Sequence, residues 1–131
     1  GNKYATEALK NGANFAIIDE EEYQKDKRLI LVEDVLTTLQ ELAKYHRKQL
    51  NIPIIALTGS NGKTTTKELV NAVLSKKYHC LATKGNLNNH IGVPLTLLSM
   101  KPGVEIGVVE MGANHPKEIE NLCAIALPDY G

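Results

Sequence analysis

The 131-residue sequence carries no excess charge of either sign, because fifteen basic and fifteen acidic residues cancel. No global field therefore draws the chain to nucleic acid or to an anionic membrane, and any phosphate recognition must be local. Cysteine is scarce. Cys80 and Cys123 lie far apart with no Cys-x-x-Cys spacing, and read as two buried, reduced thiols suited to the cytoplasm. No apolar run approaches the length of a membrane span, no secretory leader is visible, and neither internal repeats nor low-complexity segments occur. Because the chain opens at Gly1 within a helical pattern, its true N-terminus is expected to be missing. What is present is the make-up of a soluble globular protein, 43% hydrophobic and 23% charged. That length allows a real core in one domain, or in one domain plus part of another.

One stretch organises the rest. Thr58-Gly59-Ser60-Asn61-Gly62-Lys63-Thr64-Thr65-Thr66 follows the apolar run Ile54-Ile55-Ala56-Leu57 and precedes a helical pattern that begins near Lys63. Glycines let backbone N–H groups turn toward one point, a helix N-terminus adds the positive end of its dipole, and Lys63 adds a full charge. Thr64, directly after the lysine, can reach a magnesium ion bridging phosphates. The usual phosphate-loop pattern puts its first glycine where Leu57 stands, so this loop is a shortened variant. In the plainer alternative the glycines serve only a turn and Lys63 is a solvated cap. Glycine, lysine and three threonines at a strand-to-helix junction fit that alternative poorly.

The flanking sequence reads as α/β. A helix over 4–10, a strand at 15–18, a polar loop over 19–28 and a second buried strand at 29–32 form a small layer with too few strands to stand alone. Asp34 is a good N-cap for a helix to about Gln49 with a stripe of Val35, Leu39, Leu42 and His46. His46 reads as a partly covered helix residue, not a ligand. Pro53 opens the next strand, and a domain boundary is expected near residue 50. After the loop, Leu69, Val70, Val73 and Leu74 are the expected buried face of a helix, with Lys76 and Lys77 favoured by its C-terminal dipole. A strand over 78–83 leads into the amide-rich stretch 84–94, at the sheet edge where α/β proteins bind ligands. Its asparagines suit either a ligand or Asx turns on their own backbone. A short helix or turn is expected over 95–100. The buried strand 106–109 ends at Glu110, placed like a direct or indirect magnesium group beside a phosphate loop. A helix with Pro116 at its first position and Ile119, Leu122, Cys123 and Ala126 on its buried face should follow, with His115 as its cap.

Three segments, 57–65, 85–94 and 110–119, resemble the Mur ligase family. The first is shared with folylpolyglutamate synthetases; the second and third resemble the branch that adds D-alanyl-D-alanine to UDP-N-acetylmuramoyl-tripeptide. The resemblance implies a phosphate-loop, parallel-sheet central ATP-binding domain, present in part over residues 51–131. Before it, residues 1–50 would be the end of a smaller α/β uridine-nucleotide-binding domain. It also implies an ATP- and magnesium-dependent amide ligase that proceeds through an acyl phosphate. Carried over by residue, Gly59, Ser60, Asn61, Gly62, Lys63, Thr64 and Thr65 would hold ATP, with Lys63 catalytic. Thr64 and Glu110 would hold Mg2+, and Asn86, Asn88 and Asn89 would face the muramoyl-peptide substrate. The partners implied are UDP-N-acetylmuramoyl-tripeptide and D-alanyl-D-alanine, with no nucleic acid, no membrane insertion and a monomeric full-length enzyme. The chain stops before the family's carbamylated lysine, adenine contacts and C-terminal domain, so it is expected to be inert alone. A sibling ligase, and a nucleotide-binding module without ligase chemistry, are the alternatives.

Overall fold

A computed structural model describes residues 1–131, and the chain divides into two compact units, 1–38 and 39–131. The division falls inside a helix whose later turns bury Ala43 and Arg47 within the second unit.

In the first unit a 3-10 turn, Asn2–Tyr4, runs into α1 (Ala5–Lys10), and the strands β1 (Ala16–Ile18) and β2 (Leu29–Leu31) pair in parallel. Ala5, Leu9, Ile18 and Leu29 form its core. The second strand is less buried than its composition suggests: Leu29 is covered, whereas Ile30 and Leu31 are 46% and 39% exposed. Alternation turns Ile30 onto the uncovered face of so small a sheet, and Leu31, on the same side as Leu29, is exposed at the strand's end.

The helix α2 (Val35–Leu50) starts where Asp34 Oδ1 accepts the Thr37 N–H at 2.6 Å, the expected cap. Its covered stripe is rotated from the expected one. Ala43 and Arg47 are buried while Leu42 is 45% exposed, because the buried guanidinium of Arg47 has its partners on that side. A ring nitrogen of His46 bonds the Met100 carbonyl at 2.8 Å, which makes it a covered helix residue.

The second unit is built on three parallel strands, β3 (Ile54–Leu57), β4 (Cys80–Ala82) and β5 (Ile106–Glu110), in the order β3-β5-β4. Leu57 stands opposite Glu110, and Tyr130 makes a parallel bridge to Ile55 on the other edge of β3. The helices α4 (Gly92–Leu98) and α5 (Glu118–Ala126) pack with Ala43 over Ile54, Ala56 and Val109. Each fully buried aliphatic side chain there, such as Leu97, stabilises the fold by about 1.5–3 kcal/mol. The helix α3 (Lys63–Leu74) lies on the opposite face, beside Glu110. There half of the expected apolar stripe holds: Val70 and Leu74 are partly buried, whereas Leu69 and Val73 are 63% and 70% exposed, and Lys67 is fully buried. The phosphate-type loop at its N-terminus sets the rotation, bringing Thr64 and Lys67 to Glu110 and turning Leu69 outward.

Two helix starts also differ from expectation. α4 begins at Gly92, not residue 95, because Asn89 Oδ1 accepts the N–H groups of Ile91 and Gly92 at 3.1 and 2.8 Å, and Pro94 fits a first turn where no N–H is needed. α5 begins at Glu118, two residues after Pro116, since Lys117 is left-handed at φ 69. No helix is long and apolar enough to cross a membrane.

The chain leaves β3 over one face toward β4 and leaves β5 over the other toward Tyr130. Departures in opposite directions open a crevice at the C-terminal ends of these two neighbours.

Candidate functional site

The first wall of that crevice is the loop after β3. Gly62 has φ +74, a left-handed conformation that a side chain disfavours, and it turns the chain directly into Lys63, the first residue of α3. Lys63 Nζ donates to the Gly59 carbonyl at 2.7 Å, closing the loop on itself. Ser60 to Thr65, together with Asn88 and Glu110, line a cavity of about 360 Å³ at the helix N-terminus. Open helix N–H groups, a dipole end and an ammonium there form an anion cradle.

The second wall is the end of β5. Glu110 is 1% exposed. Its Oε1 accepts a hydrogen bond from Asn88 Nδ2 at 2.9 Å and from the Thr64 hydroxyl at 3.3 Å. Its own N–H donates to the hydroxyl oxygen of buried Thr83 at 2.9 Å. Two adjacent ligands of an octahedral magnesium ion stand about 3 Å apart, and magnesium takes one or two carboxylates beside substrate phosphates. Thr64 and Glu110, hard oxygen donors at 3.3 Å, fit that requirement. No cluster of three or more His, Cys, Asp or Glu side chains forms a site for an all-protein metal cage.

A larger cleft of about 720 Å³ adjoins, lined by Asn86, Asn88, Asn89, His90 and Asn114, with Gln40, Glu41 and Lys44 from α2. It shares Lys63 and Asn88 with the smaller cavity. Asn86, Asn88 and Asn89, the asparagines expected to face substrate, divide their work. Asn89 caps α4, Asn88 spans the gap to Glu110, and Asn86 stands exposed at the cleft. Across the cleft the backbone N–H groups of Asn114 and His115 donate to Glu118 Oε2 at 2.6 and 3.0 Å, and these bonds hold that carboxyl below the usual carboxylate range.

Sequence reasoning missed Lys67, Thr83 and the α2 side chains of the cleft. Lys67 had a legible signal: it is four residues after Lys63 and three before Val70, so it shares their helical face.

Residues 57–131 match the Mur ligase middle domain. The chain belongs to the Mur ligase family. Among curated Mur ligases, UDP-N-acetylmuramoyl-tripeptide--D-alanyl-D-alanine ligase of Bacillus subtilis is 43% identical over 98% of this chain, which spans 29% of that enzyme. The same-named ligase of Escherichia coli is 40% identical over 96% of the chain and 28% of its own length. Among solved Mur ligases, MurF from Thermotoga maritima in complex with ADP superposes with a TM-score of 0.85 at 39% identity, over 97% of this chain and 30% of that one. The chain thus spans about three tenths of the length of the relatives it matches. Its α/β fold with parallel sheets is that of these ligases.

Proposed function

We propose that residues 1–131 are the nucleotide-binding portion of an ATP-dependent ligase that joins D-alanyl-D-alanine to UDP-N-acetylmuramoyl-tripeptide in peptidoglycan precursor synthesis. Residues 1–50 are then the end of a uridine-nucleotide-binding domain, and residues 51–131 the first part of the central ATP-binding domain. The full-length protein works in the cytoplasm as a monomer. The observation that carries this reading is the sharing of Lys63 and Asn88 by the anion cradle and the amide-lined cleft. A nucleotide phosphate in one cavity and a polar, amide-rich substrate in the other would meet at those two side chains.

In this reading the backbone from Gly59 to Thr65 wraps the β- and γ-phosphates, and Lys63 exchanges its bond to Gly59 for their oxygens. Thr64 and Glu110 would hold magnesium, which would supply positive charge to the phosphates. The tripeptide carboxylate attacks the γ-phosphorus, forming an acyl phosphate as the bond to ADP breaks. The dipeptide amine then displaces phosphate and loses its proton. Asn86, Asn88 and Asn89 orient the peptide arm. Alignment and charge neutralisation supply most of the acceleration in such transfers.

The test is phosphate release from ATP by the full-length ligase carrying this sequence, with the tripeptide nucleotide present and D-alanyl-D-alanine supplied or withheld. Release should need the dipeptide and fall about 100-fold or more in Lys63→Ala, the scale of losing one charge-stabilising donor. Release indifferent to the dipeptide would reject it as the amine. The 131-residue chain alone should not turn over.

A further inference from the structure

Lys67 is fully buried, and the ligase reading gives it no task. It lies one helical turn after Lys63, with Nζ 3.7 Å from Glu110 Oε2 and 3.1 Å from Glu68 Oε1. Neither Lys67 Nζ nor Glu110 Oε2 has a hydrogen-bond partner. Glu110 lines the phosphate cavity and Lys67 does not, so the ammonium meets the carboxylate from behind. The two oxygens of Glu110 are thereby distinguished: Oε1 faces Asn88 and Thr64, and Oε2 faces Lys67. Stability alone does not account for a lysine here. Burying an ammonium without full hydrogen bonding is costly, and apolar side chains in place of both Lys67 and Glu110 would often be at least as stable, so the lysine is explained by the carboxylate it faces.

We propose that Lys67 is a positioning residue for the metal–nucleotide site, holding Oε2 of Glu110 from behind so that Oε1 stays beside Thr64 at the mouth of the phosphate cavity. The inference rests on the ligase reading and adds a residue to it. Lys67 touches neither nucleotide nor metal. Its removal lets the carboxylate swing toward the remaining cation of the cavity, Lys63, and away from Thr64. Metal-dependent nucleotide binding weakens, and metal-free binding does not.

The test is calorimetric titration of ADP into the full-length ligase across a range of magnesium chloride concentrations. Wild type, Lys67→Met, Glu110→Gln and the double variant are compared. Lys67→Met should raise the magnesium concentration for half-maximal enhancement of ADP binding by about 10–100-fold, the usual effect of losing a group that orients a metal ligand. Its ADP affinity without magnesium should be unchanged, and in the Glu110→Gln background it should add nothing. A folded Lys67→Met with wild-type magnesium dependence, or an undiminished effect in that background, overturns the proposal. Should Lys67→Met alone fail to fold, the double variant removes both buried charges and is compared with Glu110→Gln. Equal magnesium dependence supports the proposal, and a further loss overturns it. A wild-type protein whose ADP binding ignores magnesium would reject the ligase site itself, and this inference with it.

Discussion

Arg47 ties the chain that enters β3 to the segment that follows α5, which lies some 80 residues on in the sequence. Its guanidinium donates to the carbonyls of Ile52, Ala126 and Leu127, each at 3.0 Å, and to Asp129 Oδ2 at 2.8 Å. Asp129 Oδ2 also accepts the Ile54 N–H at 2.7 Å, so the same pair pins the start of β3. Truncation strands several of these acceptors at once. Arg47→Met should therefore cost about 3 kcal/mol in urea denaturation, and Arg47→Lys should recover only part, since an ammonium lacks the planar fork. A loss near zero would mean that water replaces the fork. Gly92 is constrained differently. A Cβ at that position would lie 2.6 Å from the Leu87 carbonyl oxygen, and main chain cannot swing aside as a side chain can. Gly92→Ala should cost about 1–3 kcal/mol of stability. It should also weaken magnesium-dependent ADP binding, because the loop that must shift carries Asn88. Neither role was visible in the sequence: an arginine on a helix and a glycine in a loop have many uses, and only their neighbours select one.

At the scale of the element, the cap of α2 was legible and the rotation of helices was not. The Asp34 cap of α2 follows from residue type and position alone. Its bond from Thr37 holds the carboxyl below its ordinary value of 3.8. A group whose pKa is lower in the folded state stabilises above the unfolded value, and that contribution disappears as pH falls through the folded one. The melting-temperature gap between wild type and Asp34→Ala should accordingly be full at pH 7 and close below about pH 3.8. A gap unchanged at pH 2 would exclude the ionised cap. For α3, hydropathy selected Leu69, Val70, Val73 and Leu74; the structure partly buries Val70 and Leu74 and exposes the other two. Leu69→Glu should leave stability within about 0.5 kcal/mol, as surface substitutions do. Leu74→Ala, on the half-buried side, should cost measurably more. The reverse order would mean that α3 sits on the other face.

At the scale of the whole molecule, the two units differ in what holds them. The first relies on two three-residue strands and a core of four buried side chains. The second has three parallel strands, with Val108 and Val109 wholly buried in the central one. Amide hydrogen exchange should therefore open β1 and β2 at lower free energy than β3 and β5, since protection follows buried apolar contact. Equal protection would mean that the units unfold together. Sheet order also has a functional consequence. Inserting β5 between β3 and β4 sets Leu57 opposite Glu110, so the phosphate-type loop and the carboxylate, far apart in the chain, emerge side by side.

The sequence by itself determined the local chemistry: the shortened glycine-lysine-threonine loop, the strand before it, the helix it opens, the Asp34 cap and the carboxylate closing β5. These are governed by contacts among residues a few positions apart, where backbone preference and side-chain type suffice. Only the tertiary structure decided which face of α2 and α3 is covered, that Asn88 and Thr64 converge on one oxygen of Glu110, and that Lys67 stands behind the other. Hydrophobic periodicity assumes that burial is reserved for apolar groups. At this site the loop fixes the helix rotation, and a paired charge shares the covered face with Val70 and Leu74.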